Sequence, residues 1–308
     1  MGAGAVQLGR DSLVGPDPTW EALPLQQREQ WLDDIDDFPP PPLLLELLQK
    51  DLRLESYDPA RLTEKLSHDS VLTGRIIARA NSAAFAPREM VTSLKQALVY
   101  LGFNLVRNTV LRYQIERSAL KLKGVAREHI LTIQRSTDQG AIIAFNWARA
   151  AGLPDAAAIA TRCLLARLGT FLIARRHPDL MPAYFNAGHE PQRLNYEANN
   201  FGLTSRSLTY KVAQAWNLPQ GMQFTLFHLW SPLFSEVRDS AACVGCASLA
   251  LSFDPPLHRE DLTQWLSLNV HERLKENLEA VKALNKLPSV IESEIYQTEM
   301  ASLDDAPY

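Results

Sequence analysis

The chain has 308 residues, of which 46% are apolar and 21% are charged, the composition of an ordinary globular protein. Its 31 basic and 35 acidic side chains give a net charge of −4, which argues against a surface built throughout for nucleic acid. No apolar run approaches the roughly 20 residues that span a bilayer, and the N-terminus lacks the pattern of a signal peptide. Three cysteines form a sparse, odd set that favours a reducing compartment. We therefore expect a cytoplasmic protein without a membrane partner.

Residues 1–37 are expected to form a partly disordered N-terminal extension, because glycine and proline punctuate its first part. Within it, Trp20 to Ile35 is predicted to form one short helix with an acidic end. Four prolines, residues 39–42, follow Phe38 and cannot be helical, but the last can open a helix into the apolar run that comes next. A domain is therefore predicted to begin at residue 38.

Helix signals follow in the N-terminal half of that domain. Asp58 and Pro59 are predicted to begin a helix that runs to Leu66. Asp69 is predicted to cap the next helix, whose apolar positions at helical spacing are Val71, Leu72, Ile76, Ile77 and Ala80. Ser93 and Gln96 fit a capping box, and Gly102 is predicted to close the helix that they open.

Helices are also predicted in the rest of the chain. One long helix covers Val125 to Ala151 with Gly152 as its C-cap, and an amphipathic helix runs from Leu203 to Trp216 and stops at Asn217. Three more are predicted at 235–252, 258–285 and 289–300. Since no window alternates in the manner of a strand, the fold class is predicted to be all-α. Residues 237–308 are expected to pack on the body, with a dimer or partner surface as the alternative.

Three segments between Phe38 and about Pro232 resemble the HDOD family, the HD-related output domain branch of the HD metal-dependent phosphohydrolases. They are FPPPP at 38–42, HDSVLTGRIIARANSAAF at 68–85 and VTSLKQALVYLGFNLVRNTVL at 91–111. The resemblance implies a two-lobed multi-helix fold over 38–236, with an N-terminal lobe at 38–120 and a degenerate HD-like lobe at 121–236. It also implies a bacterial signalling protein.

The positions that bind metal in HD enzymes carry other residue types in this chain. The family's first histidine falls near Arg135, its His-Asp dipeptide on Ala166 and Arg167, and a later histidine on Ser205. A His-His pair becomes His228 and Leu229. Imidazole and carboxylate hold the divalent ion that activates water, whereas guanidinium repels it. We therefore expect no cofactor, no bound metal and no catalytic residues.

The arginines of this region form a candidate anion pocket. Its residues are Arg135, Arg162, Arg167, Arg206 and His228. One interpretation is that the arginines pair with Asp138, Glu197 or other acids and stabilise the lobe. A second is a pocket that binds a nucleotide or cyclic dinucleotide, and a third is a solvated basic face. His228 is interpreted as a satisfied core or rim histidine, with a ligand-binding role as the alternative.

Three other sequence patterns are weaker indications of a functional site. His68 and Asp69 form an HD dipeptide in the wrong lobe, and we interpret them as a helix junction rather than a metal site. Cys243 and Cys246 lie in an Ala-rich helical stretch, where packing is favoured over a reactive or metal-binding pair. Four aromatic residues are interpreted as core between lobes, or as a partner groove if exposed: Trp216, Phe224, Phe227 and Trp230.

The leading functional hypothesis is a non-enzymatic signalling module that binds a partner in trans, such as a kinase, a response regulator or a cyclic-dinucleotide enzyme. A homodimer is an additional expectation, and nucleic acid is not expected as a partner. The alternative is a sensor that holds an anion in the former metal pocket. An active metal-dependent phosphohydrolase is the hypothesis that the replaced ligands disfavour.

Overall fold

The structure is a computed structural model that describes residues 18–38, 59–82, 85, 87–120, 124–153, 156–188, 190–220, 222–223, 226, 294 and 297. Every regular element in these ranges is a helix, which confirms the all-α prediction. The helices are α1 Pro18–Ala22, α2 Leu25–Asp36, α3 Pro59–Ser67, α4 Ser70–Ala80, α5 Leu94–Leu120, α6 Gly124–Ala151, α7 Ala156–Leu165, α8 Leu168–Arg176, α9 Met181–Phe185, α10 Glu190–Phe201 and α11 Ser205–Ala215. A 3₁₀ turn at Pro178–Leu180 precedes α9.

The N-terminal lobe is built from α3, α4 and α5 around a core of its own. The Asp69 carboxylate accepts the backbone N–H of Leu72 at 2.9 Å, so its predicted cap on α4 is confirmed. Leu72, Ile76 and Ala80 are buried. Val71, which shares the helical spacing of these residues, is instead 56% exposed, because α4 buries only the narrower stripe that faces α5.

The capping box at the start of α5 is confirmed. The Ser93 hydroxyl accepts the N–H of Gln96, and the Gln96 side chain accepts the N–H of Ser93, both at 3.2 Å. Gly102 has φ 75° and ψ 164°, so it interrupts the helical backbone there, and the chain continues as a second helical stretch beyond the kink. The positive φ is one that glycine adopts without strain.

The C-terminal lobe surrounds a second, larger core that includes Trp147, Phe171 and Tyr184. The predicted C-cap of α6 is confirmed, since Gly152 has φ 74° and the N–H of Leu153 reaches back to the carbonyl of Ala148 at 2.9 Å. The helix expected from Leu203 begins two positions later, because Thr204 caps it by accepting the N–H of Ser207.

Residues 18–38, which we call the N-terminal strap, pack on the C-terminal lobe. They form two helices rather than the single helix predicted, because Pro24 cannot continue α1 and instead precedes α2. Trp20, Leu23 and Trp31 are buried. The Arg176 guanidinium pairs with the Asp34 carboxylate and lies 5.0 Å from the Trp31 ring centroid. The domain boundaries themselves remain predictions.

Some predictions concern residues outside the described ranges. They include residues 1–17, Asp58, His228, the Cys243–Cys246 pair, Phe224, Phe227 and Trp230, and nearly all of the three C-terminal helices. Of the four aromatic residues, Trp216 is described: it is buried, and its indole N–H donates to the carbonyl of Phe38 at 3.1 Å. None of the helices described here is long and apolar enough to cross a membrane.

Candidate functional site

The turn between α7 and α8 carries Ala166 and Arg167, the two residues aligned with the His-Asp dipeptide. Both are buried, with exposures of 2% and 0%. The Ala166 carbonyl accepts the Thr209 hydroxyl at 3.1 Å, and the Thr209 oxygen accepts the N–H of Gly169 at 3.0 Å. One threonine of α11 therefore joins both sides of this turn.

The first turn of α11 contains Ser205, the residue aligned with the later histidine, and Arg206, both of which are buried. The N–H of Ser205 donates to the Glu197 carboxylate at 2.6 Å. Helices α8 and α11 approach so closely that a Cβ on Gly169 would lie 2.0 Å from the carbonyl oxygen of Ser205. The segments that hold Arg167 and Arg206 therefore lie in contact, and a shared pocket of the predicted arginines remains a prediction.

The other predicted pocket residues are placed differently. Arg135 lies exposed on α6, whereas Arg162 is half-buried on α7. Burial raises the pKa of the Cys163 thiol to about 12, against the opposing charges of Arg162 and Arg167. Both guanidinium groups therefore lie near this thiol, which stays protonated and unreactive at neutral pH.

The acids proposed as partners of the arginine set occupy two different surroundings. Asp138 forms an ion pair with Arg112 of the N-terminal lobe, 2.9 Å from Nε to Oδ1. Glu197 is fully buried and accepts the N–H of Ser205. Arg112 was not singled out from the sequence, because nothing local relates α5 to α6 at this point.

A buried polar network connects the two lobes. The Arg107 guanidinium donates to the Thr161 hydroxyl at 2.7 Å, and that hydroxyl donates to the Asn108 side-chain oxygen at 2.5 Å. All three side chains are buried. Arg107 and Asn108 belong to the VRNTVL segment quoted for the resemblance, but sequence reasoning assigned them no role. Thr161 lies on α7, the helix that leads to Ala166.

The family model for the HDOD domain matches residues 38–232. The chain belongs to the HDOD family.

Solved structures with a similar fold agree with this assignment. An HDOD domain protein of unknown function from Geobacter sulfurreducens has a TM-score of 0.63 at 18% identity, covering 90% of this chain and 98% of that one. A candidate phosphohydrolase from Shewanella amazonensis SB2B has a TM-score of 0.60 at 21% identity, covering 89% and 97%. A candidate signal transduction protein from Marinobacter aquaeolei VT8 has a TM-score of 0.53 at 15% identity, covering 94% and 67%. No curated protein matches the sequence significantly.

The HD phosphohydrolases, of which the HDOD family is a branch, imply a metal ion, and the residues at the aligned positions do not fit one. Ala166 offers no donor atom, Arg167 brings a fixed positive charge, and the backbone of Ser205 is engaged by Glu197. Within the described ranges there is no group of three or more His, Cys, Asp or Glu side chains that could hold a metal ion. His68 is exposed, and Asp69 caps α4 and accepts the Tyr113 hydroxyl, so this HD dipeptide is a helix junction.

Proposed function

We propose that this HDOD chain is a non-catalytic signalling module that acts by binding another protein, and that it has lost the metal site of HD phosphohydrolases. The observation that carries the proposal is the packing of the Ala166–Arg167 turn against Thr209. The backbone carbonyl of Ala166 and the backbone N–H of Gly169 both bond the Thr209 hydroxyl, so this turn contributes to the contact between α8 and α11. This supports a role for the former site in holding the lobe together.

The phosphohydrolase alternative requires a hydrated divalent ion held by imidazole and carboxylate groups. Arg167 is fully buried, and a guanidinium group carries a positive charge. A cation placed beside it would be repelled by several kcal/mol, on the order of the Coulomb energy at an effective dielectric near 20. This favours binding over hydrolysis.

Elemental analysis of the purified full chain, with hydrolysis of bis-p-nitrophenyl phosphate in the presence of Mn²⁺, tests the loss of the enzyme activity. We expect no stoichiometric divalent ion and no turnover. About one tightly held ion per chain, released when Ala166→Leu or Thr209→Val disturbs the turn, would overturn the proposal. Thr132→Val is the control, because the exposed Thr132 hydroxyl donates to the carbonyl of Glu128 on the same helix.

The exposed apolar side chains of the N-terminal lobe favour a protein partner. Met90 and Val99 are 78% and 70% exposed, and Tyr100 is 45% exposed. Large apolar side chains on a surface stabilise a complex when a partner protein covers them and removes them from water. The partner classes that we propose are a kinase, a response regulator or a cyclic-dinucleotide enzyme acting in trans, with self-association as a further arrangement.

A matched pair of variants tests this surface. Val99→Glu places a charge on the N-terminal lobe, and Leu25→Glu makes the same change at a 73% exposed position of the N-terminal strap. In affinity capture from the source organism, we expect one signalling protein to bind the wild type and Leu25→Glu but not Val99→Glu. Equal capture by all three chains would exclude this part of the lobe as the contact.

A sensor of anions is the second candidate function, and the buried arginines favour it. Among the described residues of α10, α11 and the α7–α8 turn, three buried guanidinium groups, from Arg167, Arg193 and Arg206, accompany one buried carboxylate, Glu197. Guanidinium groups suit a phosphate-bearing ligand, because each presents several N–H donors in one plane. A melting-temperature screen with nucleotides and cyclic dinucleotides tests it, because a ligand that binds only the folded state raises stability. We expect a rise that Arg206→Gln abolishes.

A further inference from the structure

The N-terminal strap presents a row of apolar side chains to the C-terminal lobe. Along α2, Trp31 and Ile35 are buried, whereas Leu32 beside them is 45% exposed. Phe38 continues the row three positions further on, and its ring stacks on Trp216 with the ring centroids 5.7 Å apart. Anchors separated by four and then three residues are the pattern by which an amphipathic helix binds to the surface of another protein.

The surface of the lobe beneath the strap, which we call the strap face, combines aromatic and basic groups. The His177 ring, just after α8, lies 5.9 Å from the Trp31 ring and stacks on Phe201 of α10 at 5.1 Å. The Lys211 ammonium of α11 lies 5.0 Å from the centroid of the Trp20 ring. The strap face is defined by six side chains of the lobe that contact the strap or support those that do: Arg175, Arg176, His177, Phe201, Lys211 and Trp216.

The strap and the strap face are complementary in charge. Residues 18–38 contain six acids and one arginine, which gives the strap a net charge of −5. Arg176 of α8 pairs with Asp34, and the Arg175 guanidinium lies 3.5 Å from the Asp37 carboxylate. None of these four side chains is buried, so the ion pairs lie at the edge of the apolar contact. The strap face is therefore suited to an acidic helix with large apolar anchors.

The balance between burial and ordering favours a strap that can leave the lobe. Its large buried side chains are Trp20, Leu23, Trp31 and Ile35. Ordering the 21 residues of the strap costs conformational entropy at each of them, and this cost offsets most of the contribution from so few buried side chains. The ion pairs at the edge add little, because water and salt screen them.

The covalent link between strap and lobe limits which molecule can replace the strap. The chain holds its own strap beside the strap face at a high effective concentration. The identical strap of a second copy has no contact that the tethered strap lacks, so it cannot compete. A helix from a different protein can compete if it presents the same chemistry with a better set of anchors and carboxylates.

We propose that the N-terminal strap is a displaceable internal occupant of a docking site for an acidic amphipathic helix of another protein. The strap covers the strap face until such a helix replaces it. The incoming helix would place large apolar side chains against Phe201 and Trp216 and a carboxylate against Arg176. This site shares no residue with the apolar surface at residues 90–100, so either can fail its test without the other.

Hydrogen exchange of the wild-type full chain tests whether the strap leaves the lobe. We expect the backbone N–H groups of α2 to exchange at least tenfold faster than those of α8 and α11, because the strap opens while the lobe stays folded. Equal protection of the three helices would overturn the proposal, since the strap would then open only when the lobe itself unfolds.

Peptide binding tests the docking site. The probe is a synthetic peptide of residues 18–38 with an N-terminal fluorescein, titrated with the full chain and followed by fluorescence anisotropy. Trp31→Ala loosens the chain's own strap, so we expect this variant to bind the probe at least tenfold more tightly than the wild type does. Leu32→Ala is the matched control, because it changes an exposed position of the same helix and should bind as the wild type does. Adding Arg176→Gln to Trp31→Ala should weaken the binding several-fold.

The proposal is overturned if the folded Trp31→Ala chain does not bind the probe, or binds a scrambled peptide of the same composition equally well. If Trp31→Ala fails to fold, Asp34→Lys replaces it, because it opposes Arg176 and leaves the buried side chains of the strap in place; we expect several-fold tighter binding of the probe, and unchanged binding overturns the proposal. A wild-type dimer in ultracentrifugation that excess peptide dissociates would also overturn it, because the strap of a second copy would then be the occupant.

Discussion

Replacement of Gly169 by alanine tests how tightly α8 and α11 pack at the Ala166–Arg167 turn. The new Cβ would lie 2.0 Å from the carbonyl oxygen of Ser205 and 2.8 Å from both the backbone N of Thr209 and the Cβ of Leu208. Non-bonded carbon atoms prefer a separation of about 3.5–4.0 Å. Two of these three atoms belong to the backbone of α11, so a side-chain rotation cannot relieve the contact. Helices α8 and α11 must therefore move apart.

The expected loss of stability follows from the contacts that such a movement disturbs. Overpacking of this kind costs about 1–3 kcal/mol. The two hydrogen bonds of Thr209, to Gly169 and Ala166, lengthen from 3.0 and 3.1 Å, and each contributes about 1 kcal/mol. The better helix propensity of alanine offsets at most about 1 kcal/mol of this loss. We expect Gly169→Ala to lower the free energy of unfolding by about 2–4 kcal/mol.

Gly74→Ala is the matched control, because it makes the same change inside α4, where a Cβ would meet nothing within 4 Å. Helix propensity alone acts there, so this variant should gain about 0.5–1 kcal/mol. Urea unfolding followed by circular dichroism measures both changes, with the slope against urea expected to stay constant. A Gly169→Ala protein within about 0.5 kcal/mol of the wild type, the range of a neutral surface change, would refute the packing described for this turn.

Three further changes probe the signature segments and the strap by urea unfolding or thermal melting. Asn81→Ala should lower the free energy of unfolding by about 1–2 kcal/mol, because the Asn81 side-chain amide forms hydrogen bonds of 2.8 Å with both the N–H and the carbonyl of Val91. An unchanged stability would contradict this. Thr161→Val should lower the free energy of unfolding by about 1–3 kcal/mol, because it removes the hydroxyl between Arg107 and Asn108. Thr132→Val, at an exposed position, should leave the stability unchanged. Burial lowers the pKa of His177, with a further contribution from Arg176 and against the opposing effect of Asp34. The unfolded chain then binds more protons below about pH 6.5, so stability should fall as the pH drops through that range. His177→Gln should flatten this dependence, and an equal slope in both proteins would show that another group titrates.

Local signals explain what the sequence predicted correctly. The caps at Asp69, at Ser93 with Gln96, and at Gly152 depend on residues within a few positions of one another. Each is a hydrogen-bonding or backbone requirement that a short segment satisfies by itself. For this reason the ends of these helices could be located without knowledge of the tertiary fold.

Tertiary packing explains the predictions that failed. Val71 has the right type and spacing for a buried position, but α4 lies against α5 on one narrow side and leaves it exposed. The burial of Trp20, Leu23 and Trp31 in the N-terminal strap was not predicted, because the sequence around them is largely acidic and polar. Trp31 packs at 5.9 Å from His177, which in turn stacks on Phe201 at 5.1 Å. Contacts between residues so far apart in the chain leave no local pattern.

In the candidate site, too, some features could be predicted from the sequence and others depend on tertiary packing. Aligning the family's positions placed Ala166 and Ser205 in one region, and the structure brings their helices into contact. The alignment could not show that Thr209 joins them, nor that Arg112 pairs with Asp138 across the lobes. Arg135 was grouped with the buried arginines by position alone, and its side chain is exposed because its neighbours on α6 take the inward face.

The residues that make this chain recognisable as an HDOD protein are those that hold its architecture together. Asn81 fastens the segment before α5 to the end of α4, and Arg107 and Asn108 join α5 to Thr161 on α7. None of these contacts involves Ala166, Arg167 or Ser205, so they stabilise the fold independently of the residues at those positions. The resemblance therefore carries information about the scaffold, and function has to be argued from the surfaces and clefts that the scaffold presents. In this chain the exposed apolar side chains at residues 90–100 are such a surface, and they belong to the N-terminal lobe rather than to the lobe that holds Ala166 and Ser205.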